Sequence, residues 1–204
     1  FTVKTGIKTR ILCSYKSGTW KNPRDITKQL GGYDRFYSNS ITGDGKLLII
    51  FMDDGGDGNL YYSQRKDTTW TKIKSMGKPI NTIYWESHGF ITPDGKTIYI
   101  ASNRPKGEGE LDIWVSEKAD DGTWKPPVNC GNVINTPYNE NYPLYDPSTN
   151  GLLFSSVGHI SMGGYDVFRS IDRNGTGTNP VGMPYAFNSI LDNTFFILNN
   201  NAAG

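Results

Sequence analysis

One motif returns along this chain every 50 to 54 residues, and this periodicity limits the fold more than any other feature of the sequence. Ile80-Asn81-Thr82 recurs as Ile134-Asn135-Thr136, at an offset of 54. Trp70 recurs as Trp124 at the same offset, and Trp20 precedes Trp70 by 50. A fixed period of this length indicates stacked supersecondary units.

Each repeat reads as short antiparallel strands joined by turns. In the unit of residues 86–136 we expect four strands: 86–92, 96–102, 111–117 and a short edge strand at Thr123-Trp124-Lys125. Pro126-Pro127 would end the last strand, because proline cannot donate to a ladder. Asp94-Gly95 predicts a two-residue hairpin turn, because both residues tolerate positive φ.

Four short strands per unit of this length are typical of a β-propeller blade. The rival all-β architecture, a sandwich, does not predict one motif at one spacing. We expect a single propeller region over residues 1–204 that belongs to a larger ring. Its predicted parts are a partial blade at 1–32, blades at about 33–84, 85–139 and 140–192, and the start of a further blade at 193–204.

The composition excludes several function classes. The 204 residues contain 21 Lys and Arg against 20 Asp and Glu, a net charge of +1, and no block of like charge. A nucleic-acid partner would require a basic stripe, so none is expected. No apolar run is long enough to span a bilayer, so we expect no direct membrane insertion by this region. No phosphate loop or other cofactor motif is present, and we predict no cofactor.

The two cysteines and the chain ends add little. Cys13 lies in a strand-like run and is expected to be a small buried side chain, and Cys130 lies in a loop-like stretch about two blades away. Pairing between them is therefore not expected. The chain starts at Phe1 and stops after Ala203-Gly204, which we interpret as cuts in a longer protein.

Five segments carry a resemblance to a known family. They are 93–104 (PDGKTIYIASNR), 109–116 (GELDIWVS), 121–124 (DGTW), 133–137 (VINTP) and 162–170 (MGGYDVFRS). They resemble the Pro-Asp-Gly repeat of TolB-like, WD-repeat-like propellers, and the last is similar to propellers of OmpA-family envelope proteins, including a type IX secretion and gliding group. The resemblance implies a non-enzymatic periplasmic scaffold, associated with the outer membrane of a gram-negative bacterium. Its expected partners are envelope or secretion-machinery proteins, with peptidoglycan bound only through a separate domain absent from this chain.

Residues that return in each blade are expected to be structural. We expect the tryptophans to pack between blades and the aspartates to accept hydrogen bonds from nearby backbone N–H groups. The structural set is Trp20, Trp70, Trp124, Glu86, Glu140, Asp112 and Asp166.

Residues that break the repeat are better functional candidates. Asp53, Asp57 and Asn59, with Asp54 between them, form a Gly-rich loop whose oxygens weakly suggest a calcium site. The loop lacks the distal bidentate Glu of a true calcium loop. A solvated inter-strand loop is the preferred interpretation, so no metal is predicted.

The loops equivalent to 53–59 in the following blades are the best predicted interaction surface. We expect all three loops on one rim. The rim residues are Arg104, Lys106, Glu108, Glu110, His159 and Met162. His159 and Met162 could suggest a soft metal, but solvent-facing side chains are the preferred interpretation. His88, in a first strand, is expected to be a packed core histidine.

A carbohydrate-binding or glycoside-hydrolase (sialidase-like) propeller is the alternative function. Such enzymes use paired carboxylates around the scissile bond, and sialidases add an arginine cluster that this repeat does not supply. We therefore predict no catalytic residues. Tyr142, Tyr145, Tyr165 and Trp85 could stack on sugars if exposed, with packing between blades as the preferred interpretation.

Overall fold

The computed structural model describes residues 1–6, 8–53, 55–173 and 176–194. Among these residues, regular structure is almost entirely β-strand, with one four-residue helix. No helix in this part of the chain is long and apolar enough to cross a membrane.

The first two sheets occupy residues 2–75. The first has the order β1-β2-β5, and β3 and β4, which lie between β2 and β5 in the chain, pair with each other as a separate two-stranded hairpin. Its elements are β1 (Thr2–Thr5), β2 (Lys8–Cys13), β3 (Lys16–Ser17), β4 (Thr19–Trp20) and β5 (Arg24–Asp25), followed by α1 (Thr27–Leu30). The second has the order β10-β8-β7-β6, with β9 also paired to β8. Its elements are β6 (Phe36–Ile41), β7 (Leu47–Asp53), β8 (Gly58–Lys66), β9 (Thr69–Trp70) and β10 (Lys74–Ser75).

The other two sheets occupy residues 86–182. The third has the order β11-β12-β13-β14: β11 (Glu86–Ile91), β12 (Thr97–Ser102), β13 (Asp112–Glu117) and β14 (Val128–Asn129). The fourth has the order β15-β16-β17-β18, with β19 also paired to β17: β15 (Glu140–Asp146), β16 (Gly151–Ser156), β17 (Asp166–Arg173), β18 (Thr176–Gly177) and β19 (Val181–Gly182). The four antiparallel sheets are blades of a β-propeller, which confirms the predicted fold class. The blade boundaries and the larger ring stay predictions.

The fourth strand of the unit 86–136 was predicted at the wrong residues. In the third sheet, Trp124 makes only an isolated bridge to Lys118, and the edge strand is β14, whose Val128 pairs with Val115. The second sheet shows the same two pairings. The Trp-containing strand β9 pairs with the end of β8, whereas β10 pairs with Tyr61 and Tyr62 in the middle of β8. Pro126-Pro127 therefore interrupts the ladder rather than ending it, and the chain returns to the sheet edge two residues later.

The Asp-Gly turn also differs from the prediction, because only its glycine has positive φ. Gly95 has φ +72°, whereas Asp94 does not adopt the left-handed conformation. The Asp94 carboxylate instead accepts hydrogen bonds from the Thr92 hydroxyl (2.6 Å) and from the Lys96 N–H (3.0 Å). This is an Asx-type turn, in which the side chain substitutes for a backbone acceptor.

The chain forms two compact units. The first comprises Phe1–Ile98 and Ser116–Pro127, and the second comprises Tyr99–Val115 and the chain from Val128 onward. Each has a buried apolar cluster made by strand faces with near-continuous hydrophobic runs, such as β7 and β16. The first cluster is Ile11, Ile26, Leu30, Phe36, Leu48, Ile50, Trp70 and Ile73. The second is Ala101, Ile113, Ile134, Leu152, Phe154 and Phe168.

Both cysteines are free and partly buried. Cys13 packs against the first cluster and Cys130 against the second. Burial raises the pKa of the Cys130 thiol to about 12, so this thiol is held in its unreactive protonated form.

Candidate interaction site at the blade connections

The connections between blades are short turns held by one recurring set of side-chain hydrogen bonds. Before the third blade, Glu86 accepts from the N–H of Thr82 (2.9 Å) and from its hydroxyl (2.6 Å). The Thr82 hydroxyl oxygen also accepts from the N–H of Tyr84 (3.0 Å). The N–H and hydroxyl of Thr82 and the N–H of Tyr84 therefore all find acceptors within residues 82–86.

The second unit repeats this arrangement twice. Glu140 binds Thr136 in the same way, and the Tyr138 N–H donates to the Thr136 hydroxyl (3.2 Å). After the fourth blade, Asn193 accepts from Ser189 and the Leu191 N–H donates to the Ser189 hydroxyl (3.2 Å). Asn193 thus takes the place of the glutamate, and the rest of the further blade predicted to start at 193–204 lies beyond Thr194, outside the described residues.

These turns carry exposed apolar side chains, which we name the connection-turn residues: Ile83, Tyr84, Tyr138, Ile190 and Leu191. Ile83 is 78% exposed, Ile190 83% and Leu191 71%. Single exposed apolar residues are common on protein surfaces. Their recurrence at the same position of three turns is unusual and calls for an explanation. The hydrogen bonds fix the turns in a conformation that points these side chains to solvent.

In the second unit, the two long inter-strand loops lie against these turns. The Glu110 N–H donates to the Tyr138 carbonyl (3.1 Å), which joins loop 103–110 to the turn before the fourth blade. A Cβ on Gly163 would lie 2.8 Å from the carbonyl oxygens of Ser189 and Leu191, so loop 157–164 lies directly against the next turn. Ile160 and Met162 on that loop are exposed and extend the apolar surface.

Asp112 and Asp166 anchor these two loops. Asp112 accepts from the N–H groups of Glu108 (2.5 Å) and Gly109 (3.2 Å). Asp166 does the same for Met162 and Gly163. The predicted bonding of the recurring aspartates to backbone N–H groups is confirmed, and it fixes the end of each loop to the strand that follows it.

Two of the predicted rim residues are not fully exposed, since Arg104 is buried and His159 is partly buried. Arg104 is only 9% exposed, with its guanidinium 5.5 Å above the Trp114 ring and its Nε bonded to Ser102. His159 lies between the rings of Phe154 and Phe168, and its Nε2 is 2.9 Å from the Ile134 carbonyl. The expectation of an exposed rim position was wrong for both, because each side chain folds back onto an aromatic ring of its own unit.

The other predicted rim residues, which are Lys106, Glu108, Glu110 and Met162, are exposed, and two of the four are acidic. Lys106, Glu108 and Glu110 face solvent, and Glu110 accepts from the Asn139 amide (2.6 Å). Asp192 is also exposed and accepts from the Tyr165 N–H. Burial, with the nearby Tyr142, Glu140, Asp192 and Glu110, raises the pKa of Tyr165 to about 12. The apolar surface of the second unit is therefore flanked by negative charge.

Loop 53–59 lies in the first unit and shows no metal-binding geometry in its described residues. Asp53 forms an ion pair with Arg35 (3.4 Å) and accepts from the Gly55 N–H, while Asn59 donates to the Asp57 carbonyl. Asp54 lies outside the described residues. Within the ranges that the structure describes, no three His, Cys, Asp or Glu side chains are grouped to hold a metal ion.

The aromatic residues considered for sugar stacking are partly buried against other rings. Tyr145 stacks on Tyr99, with centroids 5.8 Å apart, and Tyr142 meets Tyr165 edge to face at 6.4 Å. Trp85 packs against Phe51 at 5.6 Å. Packing, rather than an open sugar platform, accounts for these side chains.

The recurring tryptophans are not equivalent in burial. Trp70 is 6% exposed and belongs to the first cluster, whereas Trp20 is 67% exposed. Trp124 is half-buried, with the Lys118 ammonium 4.8 Å above its ring. The expectation that all three pack between blades was wrong for Trp20, since its β3-β4 hairpin stands apart from the rest of the first sheet.

A recurring asparagine clamp was missed in the sequence. Asn135 accepts from the Ile113 N–H (2.7 Å) and donates to the Ile113 carbonyl (3.0 Å). Asn81 makes the same pair of bonds to Leu60, and Asn188 to Val167. The Asn of the repeated Ile-Asn-Thr string was the available signal, and each amide replaces a backbone partner at the strand edge.

Comparison with solved structures supports the propeller fold. No protein-family model matches the sequence, and no curated protein matches it significantly. The structure assigned to TolB from Agrobacterium tumefaciens is similar at a TM-score of 0.50 and 19% identity, covering 87% of this chain and 61% of that one. TolB from Acinetobacter baumannii is similar at a TM-score of 0.51 and 14% identity, covering 89% and 42%.

A weaker likeness, at a TM-score of 0.44 and 12% identity, is to a prolyl endopeptidase of which the match covers 24%. The chain spans less than two thirds of the TolB structures it resembles. At these identities the likeness supports a TolB-like propeller fold and says nothing by itself about activity.

Proposed function

We propose that this chain is a non-catalytic β-propeller module that binds protein partners through the connection-turn residues of its second unit, Tyr138, Ile190 and Leu191. The observation that carries the proposal is the recurrence of exposed apolar side chains on three turns that are fixed by the same hydrogen bonds. A rigid apolar surface loses little conformational entropy on binding, which favours its use as a contact site.

The charge around the surface suggests the kind of partner. In the second unit, Glu108, Glu110 and Asp192 flank the apolar side chains. A protein that combines apolar contact residues with a basic rim would complement both features.

The resemblance to TolB-like and OmpA-family propellers is the basis for a proposed location. We place the module in the periplasm of a gram-negative bacterium, as a scaffold of an outer-membrane-associated assembly such as a secretion apparatus.

The test is affinity purification of the intact parent protein from its native envelope, followed by quantitative mass spectrometry. The variant Ile190→Ser/Leu191→Ser removes apolar side chains from one connection turn. The matched control Val181→Ser/Tyr185→Ser removes equally exposed apolar side chains from β19 and the segment after it.

We expect the turn variant to recover a specific envelope partner about tenfold less efficiently, and the control to recover it normally. An unchanged partner list in the turn variant, or equal loss in both, would contradict the proposal. Circular dichroism of both variants checks that the fold is intact.

A further inference from the structure

A second candidate binding site lies in the first unit, at the opposite ends of strands β7 and β8 from loop 53–58. Here the β6–β7 turn, the end of β8 and the β11–β12 turn surround an open cleft of ≈ 550 Å³. Its charged lining residues are Asp44, Lys46, Arg65, Lys66 and Asp94. A volume of this size is large enough for a small organic molecule.

The two carboxylates in the cleft are committed to their own turns. Asp44 accepts from the Thr42 hydroxyl (2.7 Å) and the Lys46 N–H (2.9 Å), and Asp94 accepts from the corresponding groups of its turn. These hydrogen bonds hold the pKa of both carboxyls below the usual range. The aspartates are therefore structural parts of the walls that stay ionised, and Asp44 Oδ2 lies 3.9 Å from the Lys46 ammonium.

The guanidinium of Arg65 is held in place but retains donors for a ligand. Its Nε donates to the carbonyl of Asp67 (2.8 Å), a residue whose positive φ of 54° forms the tight turn after β8. Among the described residues no hydrogen bond to its two terminal nitrogens is seen, and one of them lies beside Gly45. A fixed guanidinium with free paired donors suits recognition of an oxyanion.

Only one basic residue of the cleft departs from the repeat. Lys46 and Arg65 are matched in the third blade by Lys96 and Lys118, whereas Lys66 is matched by Ala119. The environment of the pair Arg65 and Lys118 also differs, because the Lys118 ammonium stacks on Trp124 while the equivalent Trp70 is buried in the first cluster. A position that breaks an otherwise structural pattern is a good candidate for function.

We propose that this cleft binds the phosphate group of a small anionic molecule, with Lys46, Arg65 and Lys66 as the cationic ligands. Phosphate fits better than a single carboxylate, because it presents more acceptor oxygens to three separate cationic groups and carries up to two negative charges. The Arg65 fork takes two oxygens while the lysines act as point charges. The site is separate from the connection-turn residues.

The test is titration of the 15N-labelled chain with inorganic phosphate at constant ionic strength, followed by NMR. We expect saturable shifts confined to residues 42–47 and 64–66. In Arg65→Gln/Lys66→Gln the apparent Kd rises about tenfold. Lys72→Gln, an exposed lysine of the same blade outside the cleft, leaves the Kd unchanged.

Two further arms identify the source of the phosphate. Tighter binding of glycerol phosphate than of inorganic phosphate indicates a soluble phosphorylated ligand, and binding to phosphatidylglycerol vesicles that the double variant loses indicates a lipid headgroup. The proposal is overturned if the shifts rise linearly and spread over all lysines, if acetate binds as well as phosphate, or if Lys72→Gln weakens binding as much as the double variant.

Discussion

Glu140 holds Thr136 with both oxygens of its carboxylate. Oε2 accepts the Thr136 N–H and Oε1 accepts its hydroxyl, each at 2.7 Å, and the Ser156 hydroxyl donates to Oε1 at 2.6 Å. The side chain is fully buried, and burial is the main reason that the pKa of Glu140 is raised. One acidic side chain thus joins the connection turn to the first two strands of the fourth blade.

Replacing Glu140 with glutamine tests how much of the turn depends on this acceptor. The amide would present an NH₂ group toward donors, so at least one buried donor loses its partner. We expect Glu140→Gln to lower the free energy of unfolding by about 2 kcal/mol, measured by urea denaturation. Glu117→Gln, at an exposed position, is the control, and equal effects of the two substitutions would contradict this role for Glu140.

The sequence predicted the blades well because its strongest signals are local. A turn or an apolar strand depends on neighbouring residues, so the recurrence of the Ile-Asn-Thr motif of residues 80–82 at 134–136 could be recognised directly in the sequence. The third connection turn keeps the same hydrogen bonds with Ser189 and Asn193 in place of Thr and Glu. Comparison of residue types along the sequence could not detect this repeated geometry. The side-chain acceptor is kept in the third turn, but it is an asparagine instead of a glutamate.

The errors at the candidate site have a different cause. Whether Arg104 faces solvent depends on Trp114, which lies across a Gly-rich loop and on another strand. The exposure of Trp20 depends on where its hairpin stands in the sheet. In both cases exposure is decided by tertiary structure, which the local sequence pattern does not describe. The same residue type at the same repeat position can therefore have different surroundings.

The asparagine clamp predicts a strong effect from a nearly isosteric change. Asn135→Asp would replace the amide donor near the Ile113 carbonyl with a buried carboxylate oxygen. We expect a loss of about 3 kcal/mol in the free energy of unfolding, together with faster hydrogen exchange at the Ile113 amide. Asn179→Asp, at an exposed position, should change neither quantity. If Asn135→Asp left the Ile113 amide as protected as before, the clamp would not be stabilising this edge.

The two tryptophans at one repeat position should differ in energy as they differ in burial. Trp70→Ala would empty part of the first cluster and is expected to cost about 3 to 5 kcal/mol. Trp20→Ala is expected to cost less than about 0.5 kcal/mol, as is usual for exposed positions. Denaturation midpoints of the two variants, compared with the unmodified chain, provide the measurement. A large loss for Trp20→Ala would show that its hairpin packs more closely than the structure indicates.

His88 predicts that the first unit loses stability in mild acid. Burial lowers its pKa to about 4 from an ordinary value of 6.5. The unfolded chain therefore takes up a proton as the pH falls below 6.5, while the folded chain does not until about pH 4. The contribution of His88 is fully present above pH 6.5 and declines as the pH falls from 6.5 toward 4, by about 2 kcal/mol at pH 5 and about 3 kcal/mol at pH 4. Glu140 acts in the opposite sense, because its raised pKa favours the folded state as it protonates.

A comparison of variants separates the effect of His88 from that of Glu140. In urea denaturation, His88→Gln should remove the decline in stability between pH 7.5 and pH 5, and His159→Gln should retain it. A decline that persists in His88→Gln would mean that another group causes it.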